Sequence, residues 1–174
     1  MLFLSAFIGG FNDHMQINPE QLSNHLKRGL APIYFVYGEE LLLVEESCRA
    51  IREAAHAAGF HERQVLTVES GFDWNGLFNS LQSMSLFSER RVVELRLPTG
   101  KPGEAGAKIL VEIAAQPPAD IVFVVSSGKL EKPTRESKWA KALESAGVVI
   151  AVYPLEAAQW PLWIRRRMEL KGLM

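Results

Sequence analysis

The stretch "PIYFVYGEELLLVEE", residues 32–46, decides the fold. Its first six residues form an apolar run, rich in β-branched and aromatic side chains, that is short enough to be one buried strand. The run stops at Gly38, and a helical pattern begins near Glu39 and ends at Gly59. A buried strand that leads directly into a helix is the repeating unit of a parallel α/β sheet.

Four more segments predict strands, and helical segments separate them. The strands are "QVLTV" (64–68), "RVVELRL" (91–97), "IVFVVSS" (121–127) and "VVIAVY" (148–153), and the last helix before the fifth strand covers residues 136–146. A continuous apolar run such as residues 121–127 is typical of a strand covered on both faces. The sequence therefore predicts a three-layer, doubly wound, mainly parallel sheet of five strands.

Two helix starts carry recognisable capping signals. Asn18 with Gln21 three residues later predicts a capping box, and that helix ends at Gly29. Asp73 is in the position to cap a helix that begins at Trp74. These signals fix the starts of the first and third predicted helices.

The composition restricts the class of protein. The chain has 19 basic and 20 acidic residues, so its formal charge is -1 and no general attraction to nucleic acid or membrane is expected. Its one cysteine, Cys48, excludes an internal disulfide and suits a reducing cytoplasm. The sequence indicates a cytoplasmic globular protein.

We expect three regions along the chain. Residues 1–14 are apolar but lack a basic leading region, so they are expected to be a disordered leader or upstream extension, with Met15 beginning the ordinary sequence. Residues 15–153 form the α/β domain. Residues 154–174 are predicted to be the start of a helical second domain that is truncated here.

The connection after the first long strand lacks the features of a phosphate-binding loop. That loop needs G-x-x-x-x-G-K-[ST], whereas this chain has Gly38, Glu39 and Glu40 followed by leucines. Two carboxylates at this point would repel a triphosphate. The strand at 121–127 also ends in Ser126 and Ser127, where a metal-dependent ATPase needs an acid. We expect no nucleotide cofactor and no hydrolysis.

Metal and nucleic-acid signals are weak. His56 and His61 are five residues apart, which is not the i, i+4 spacing that places two ligands on one helix face, so no metal is predicted. A few basic residues on the loop after the strand at 121–127 and on the last helix are candidates for direct DNA contact: Lys129, Lys132, Arg165 and Arg166.

The segment "NSLQSMSLFSERRVVEL" (79–95) places apolar residues where a helix ends and a strand has not begun. Met84, Leu86 and Phe87 fit neither the helical nor the strand period. Their side chains either fold back onto the body of the domain or are displayed to a partner.

Together, the element order and four stretches resemble the delta subunit family of bacterial DNA polymerase III, the clamp-loader proteins. The stretches are "YGEELLLVEE" (37–46), "FDWNGLFNSLQSMSLFSERRVVEL" (72–95), "GKLEK" (128–132) and "AAQWPLWIRRRMELKGL" (157–173). The resemblance runs from about Met15 to the end of the chain and covers only the front part of that family.

The resemblance implies a fold and a binding site. The fold is an AAA+ module, similar to RecA-like P-loop proteins, without a functional phosphate loop. In the family a Leu-Phe pair inserts into a hydrophobic pocket on the ring-shaped beta sliding clamp, and the matching residues here are Leu86 and Phe87. Met84 and Ser85 complete a peptide similar to the clamp-binding motif that ends Leu-[Ser/Asp]-Leu-Phe. The motif's usual Gln is displaced, because Ser83 stands there and Gln82 precedes it.

The resemblance also implies partners. They are the beta clamp, the clamp-loader subunits delta prime and gamma/tau, and DNA through the assembled complex, with no membrane. The resemblance further implies a chain without catalytic residues that is a subunit of the DNA polymerase III holoenzyme, a nucleotidyltransferase complex that acts in DNA replication. Two alternatives remain open at this stage: a nucleotide-binding enzyme of the P-loop class and a direct DNA-binding module.

Overall fold

The computed structural model describes residues 15–83 and 89–174, and these form one sheet with helices on both faces. The elements in chain order are β1 (Met15–Ile17), α1 (Pro19–Arg28), β2 (Ile33–Gly38), α2 (Leu41–Ala57), β3 (Glu62–Thr67), α3 (Trp74–Gln82), β4 (Arg91–Leu97), α4 (Gly103–Ala115), β5 (Ile121–Ser127), α5 (Lys132–Arg135), α6 (Lys138–Ala146), β6 (Val148–Val152), a 3₁₀ turn (Ala157–Gln159) and α7 (Trp160–Leu170).

The sheet has six strands in the order β1-β6-β2-β5-β4-β3, and every neighbouring pair in it is parallel. The predicted fold class is confirmed, but the predicted number of five strands is wrong. The additional strand is β1, which pairs with β6 from Met15 to Ile17. It has only three residues, so its side chains cannot display the periodicity by which a strand is recognised.

Two apolar layers hold the helices on the sheet. On one face α1 and α2 cover side chains such as Tyr34 and Val124, and on the other face α3, α4 and α6 cover side chains such as Phe35 and Leu95. Residues of β2, β4, β5 and β6 alternate between these two clusters, because successive side chains of a strand point to opposite faces. This double coverage makes the four central strands largely apolar, apart from Arg91, Glu94 and Arg96 in β4 and the serines that end β5.

The predicted helix caps are confirmed. The side chain of Asn18 accepts a hydrogen bond from the Gln21 backbone nitrogen at 3.0 Å, and the Gln21 side chain accepts one from the Asn18 nitrogen at 2.9 Å. Asp73 accepts from the Gly76 nitrogen at 2.9 Å at the start of α3. The predicted helix at 136–146 begins instead at Lys138, because a separate four-residue helix, α5, precedes it.

Because the strands are parallel, the sheet has a carboxyl edge and an amino edge. The connections that follow β2 and β5 lie at the carboxyl edge. Residues 84–88 connect α3 to the beginning of β4 and therefore lead into the amino edge. The connection that lacks a phosphate-loop motif and the described residues that flank the predicted Leu-Phe element thus lie at opposite edges of one sheet.

The end of the chain forms a helix that lies near α1 and α2. Arg166 of α7 forms an ion pair with Glu20 at 3.0 Å, and Arg167 pairs with Glu46 through both of its terminal nitrogens. Most apolar side chains of α7 are exposed. The expectation that residues 154–174 begin a second domain remains a prediction, and the leader predicted at residues 1–14 lies outside the described residues.

Candidate functional site at the amino edge of the sheet

Helix α3 is the support that leads to residues 84–88. Its inward face buries Trp74, Leu77 and Leu81 in the cluster formed with β4, β5 and α4. Each of these side chains is at most 8% exposed. Burying three large apolar side chains contributes about 1.5–3 kcal/mol for each, so the helix is fixed to the body of the domain.

The last turn of α3 is held by polar contacts to other elements. Arg91, the first residue of β4, donates a hydrogen bond from Nη2 to the Ser80 carbonyl at 2.7 Å. Gln82 donates from Nε2 to the Gln116 carbonyl at 3.3 Å, and the Ser83 hydroxyl donates to the Ser80 carbonyl at 3.1 Å. The chain therefore enters residues 84–88 from a fixed point.

The chain also leaves that segment at a fixed point. Arg90 forms an ion pair with Asp120 at 3.4 Å, and its guanidinium lies 5.4 Å from the centre of the Phe60 ring. The carbonyl of Arg90 accepts a hydrogen bond from the Glu62 nitrogen at 3.3 Å. The described residues on both sides of residues 84–88 are therefore held by contacts to the body of the domain.

A cavity of about 670 Å³ lies between the two anchors, bounded by the starts of β3 and β5 and the end of α3. Its described walls carry both signs of charge, with Arg63 and Arg91 opposite Glu62, Glu89 and Asp120. Small-molecule sites are lined mainly by apolar and aromatic groups, which this mixture does not resemble. We assign no ligand to this cavity.

Only one of the predicted clamp-binding residues lies in the described part of the chain. Met84, Ser85, Leu86 and Phe87 fall outside it, so their roles stay predictions. Gln82 is half-buried at the end of α3, and its amide is bonded to the Gln116 carbonyl. The role of Gln82 in clamp binding also stays a prediction.

At the carboxyl edge, the connection from β2 to α2 is too short to enclose a phosphate. Only Glu39 and Glu40 separate the strand from the helix. The Gly38 nitrogen is already bonded to the Gly128 carbonyl at 3.3 Å. A Cβ on Gly38 would lie 2.1 Å from the Val152 carbonyl oxygen. This glycine is therefore explained by close packing against β6 rather than by approach to a ligand.

The four candidates for DNA contact belong to the carboxyl edge and to α7. Three of them are in ion pairs: Lys129 with Glu39, Lys132 with Glu136 at 3.9 Å, and Arg166 with Glu20 at 3.0 Å. The hydrogen bond to Glu39 and the charge of that carboxylate raise the pKa of Lys129. Arg165 is exposed and has no ion pair within the described ranges. Local compensation of this kind weakens the electrostatic footprint that DNA binding requires.

The sequence did not reveal a buried carboxylate in β4, the strand next to the edge strand β3. Glu94 of β4 is 4% exposed and accepts hydrogen bonds from Arg52 of α2 at 2.8 Å and from Arg63 of β3 at 2.9 Å. Burial alone would raise the pKa of Glu94, but the two arginines outweigh it and hold that pKa below its ordinary value. The available signal was a lone acid inside an apolar strand, which requires paired cations nearby.

A second buried polar pair joins α1 to β2. The His25 ring nitrogen Nε2 lies 3.0 Å from the Tyr34 hydroxyl, which also accepts a hydrogen bond from the Ala31 nitrogen at 2.9 Å. Burial raises the pKa of Tyr34 to about 12 and lowers the pKa of His25. Both groups are therefore neutral near pH 7.

His56 and His61 lie next to each other in the fold, with ring centres 4.7 Å apart. Within residues 15–83 and 89–174, no group of three or more His, Cys, Asp or Glu side chains is arranged to hold a metal ion. A search of the same residues finds no helix with the length and apolarity needed to cross a membrane.

Comparison with known proteins gives a consistent result. The profile of the family "DNA polymerase III, delta subunit" matches residues 34–152. The chain is 33% identical over 159 residues to DNA polymerase III subunit delta of Escherichia coli K12, and the match covers 91% of this chain and 46% of that protein. The corresponding Haemophilus influenzae protein is 30% identical over 161 residues, with coverage of 91% and 46%.

The fold has a counterpart among solved structures. The Bacillus subtilis DNA clamp loader delta protein superposes with a TM-score of 0.64 at 22% identity, over 81% of this chain and 44% of that one. At this identity the likeness concerns the fold. The chain spans just under half the length of the relatives that it matches.

Proposed function

The chain belongs to the family of DNA polymerase III delta subunits, and from this premise we propose that it is a non-catalytic clamp-loader subunit that binds the beta sliding clamp through Leu86 and Phe87. The observation that carries the proposal is the family match across residues 34–152, which includes the Leu-Phe pair. The fixed ends of the connecting segment give it physical support.

The energy of such a contact comes mainly from apolar burial. A leucine and a phenylalanine that enter an apolar pocket contribute about 2–3 kcal/mol each before the costs of association. Side chains that fill a desolvated pocket on the partner carry most of the binding energy of an interface. The contacts of Arg91 and Arg90 hold the two ends of the segment in place, so less ordering is needed when the clamp binds.

Clamp opening requires more than binding. A ligand shifts an equilibrium only by its difference in affinity for the two states, so this subunit has to bind an open or strained ring more tightly than a closed one. No ATP hydrolysis by this chain is involved. Its partners in loading are the delta prime and gamma/tau subunits, ATP is handled by companion motor subunits of the complex, and contact with DNA arises through the assembled complex.

The absence of nucleotide chemistry is part of the proposal. The connection of Glu39 and Glu40 leaves no room for a phosphate loop, and Glu39 is paired with Lys129. Calorimetry with ATP and magnesium is expected to give no binding heat. Saturable binding would favour the alternative of a P-loop-class enzyme. The cytoplasmic location stays a prediction based on the single cysteine.

The experiment that tests clamp binding is a titration of this chain against the beta sliding clamp. The variant Leu86→Ala/Phe87→Ala is expected to bind at least 100-fold more weakly, because losing about 3 kcal/mol or more corresponds to that factor. A matched control is Leu41→Ala/Leu42→Ala, which removes two leucines that are 67% and 54% exposed at the carboxyl edge. The control should bind as the unmodified chain does.

Each outcome has a clear meaning. Equal affinity of the Leu86 and Phe87 variant and the unmodified chain places the clamp contact elsewhere and refutes the assignment. Loss of the native circular dichroism spectrum in that variant shows that the two side chains belong to the core. Absence of binding by the unmodified chain refutes the proposed function for this chain.

A further inference from the structure

A second cavity, of about 280 Å³, lies on the sheet face covered by α6, where β2, β6 and the short β1 meet α5. It is distinct from the amino-edge segment and from the connection between β2 and α2. The polar side chains at its walls include Gln16, Tyr37 and Tyr153 on the sheet side and Lys132, Arg135 and Lys141 on the helix side.

The charges around this cavity do not cancel. Two carboxylates line it, and each is paired with a lysine: Glu136 with Lys132 at 3.9 Å and Glu144 with Lys141 at 3.0 Å. Arg135 takes part in no ion pair within residues 15–83 and 89–174. The cavity therefore retains one positive charge, carried by a guanidinium.

The hydrogen-bonding groups at the cavity are mostly donors. The Nε atom of Arg135 is shielded from solvent and has no hydrogen-bond partner in the structure. The Gln16 amide nitrogen donates to the Tyr153 hydroxyl at 3.4 Å, which leaves the Tyr153 proton available to another acceptor. Burial, first of all, raises the pKa of Tyr37, and the neighbouring guanidinium of Arg135 opposes that rise. The Tyr37 hydroxyl stays protonated and can also donate. Buried donors without acceptors are uncommon in native proteins and call for a missing partner.

We propose that this cavity binds a single oxyanion, a carboxylate or phosphate group, with the guanidinium of Arg135 as the principal contact and the hydroxyls of Tyr37 and Tyr153 as additional donors. The planar fork of an arginine matches the paired oxygens of both groups. A cation in a partly enclosed site also binds an anion more strongly than one in open water.

The proposal is tested by titrating inorganic phosphate, and separately acetate, into ¹⁵N-labelled protein at constant ionic strength. The readout is the Nε–Hε signal of Arg135 together with the backbone amides of α5. Saturable shifts with both anions identify a site that takes carboxylates as well as phosphates. Saturation with phosphate alone identifies a phosphate site. Sodium chloride at matched ionic strength serves as the reference.

Two variants separate a site from general charge effects. Arg135→Gln is expected to weaken anion binding at least tenfold, and Arg135→Lys, which keeps the charge but loses the fork, should weaken it by a smaller factor. Lys138→Gln removes one exposed charge from the nearby start of α6 without altering the cavity wall, so it should bind as the unmodified chain does.

Two results would overturn the proposal. One is linear, unsaturable shifts of the unmodified protein with both anions. The other is equal weakening by Arg135→Gln and Lys138→Gln, which would reduce the effect to net charge. If Arg135→Gln fails to fold, the titration of the unmodified chain still shows whether anion binding saturates. The anion titrations do not depend on clamp binding.

Discussion

Replacing Glu94 by glutamine removes the charge from a carboxylate that joins three elements of the fold. Its oxygens accept hydrogen bonds from Arg52 at 2.8 Å and from Arg63 at 2.9 and 3.2 Å. The amide of Glu94→Gln has nearly the same shape, but it presents a donor to two guanidinium groups. The change therefore tests electrostatics with little change in packing volume.

The expected cost follows from the exposure of the partners. Hydrogen bonds to charged groups contribute about 1.5–3 kcal/mol each. The side chain of Arg63 is 42% exposed and stays partly hydrated, so its hydrogen bonds contribute at or below the low end of that energy range. The side chain of Arg52 is only 21% exposed, so its contribution is reduced less. We expect Glu94→Gln to lower the free energy of unfolding by about 2–4 kcal/mol. For a domain of this size the Tm then falls by about 5–15 °C.

The assay is thermal and urea unfolding followed by circular dichroism across a pH series. Because the folded pKa of Glu94 lies below its ordinary value of 4.5, its stabilisation is present above that pH and is lost as pH falls through the folded pKa. The difference in free energy of unfolding between Glu94→Gln and the unmodified chain should be constant above about pH 5.5 and shrink in more acidic solution.

A control for the Glu94 prediction is Glu45→Gln, whose carboxylate is 48% exposed and lies 3.6 Å from Arg52 and 3.9 Å from Arg96. Exposed pairs contribute about 0–1 kcal/mol, so this variant should be nearly as stable as the unmodified chain. Equal losses in the two variants would refute the reasoning, as would a Glu94→Gln deficit that is independent of pH.

Three further predictions rest on separate contacts. Arg91→Gln removes the guanidinium donor that holds the last turn of α3 and should weaken clamp binding by about 3- to 30-fold in a titration against the beta sliding clamp. An affinity equal to that of the unmodified chain would show that this contact is unimportant for binding. Glu46→Gln breaks the ion pair with Arg167, so the fluorescence of the tryptophans in α7 should resemble their fluorescence in the unmodified chain in 1 M salt. Identical spectra of the variant and the unmodified chain at low salt would contradict a docked α7. Gly38→Ala forces a Cβ to within 2.1 Å of the Val152 oxygen and should lower the free energy of unfolding by about 3 kcal/mol or more in urea, and an unchanged midpoint would disprove the close packing.

The central strands were predictable because burial on both faces leaves a continuous apolar run. Two of them, Arg91–Leu97 and Ile121–Ser127, have the predicted boundaries. The edge strand β3 begins at Glu62, two residues earlier than predicted. The prediction missed this start because the first residues of the strand are charged and its exposed side chains alternate only with half-buried ones. The three-residue strand β1 is defined by its pairing with β6, a contact between distant parts of the chain that no local pattern encodes.

The candidate site was predictable only in part. The irregular apolar residues before β4 marked the segment, and Asp73 marked the start of the helix that supports it. The anchors were not predictable, because Arg90 meets Asp120 and Gln82 meets Gln116 across about thirty residues of sequence. Such contacts depend on which strand connections share an edge of the sheet, and that order appears only when the chain is folded.

The most direct test of the central claim is a hydrogen-exchange footprint of this chain with and without a saturating amount of beta sliding clamp. Clamp binding through Leu86 and Phe87 should slow exchange at the backbone amides of residues 83–90 and leave the carboxyl-edge connections, residues 38–41 and 128–131, unchanged. Protection at the carboxyl edge with none at residues 83–90 would show instead that the clamp binds the opposite edge of the sheet.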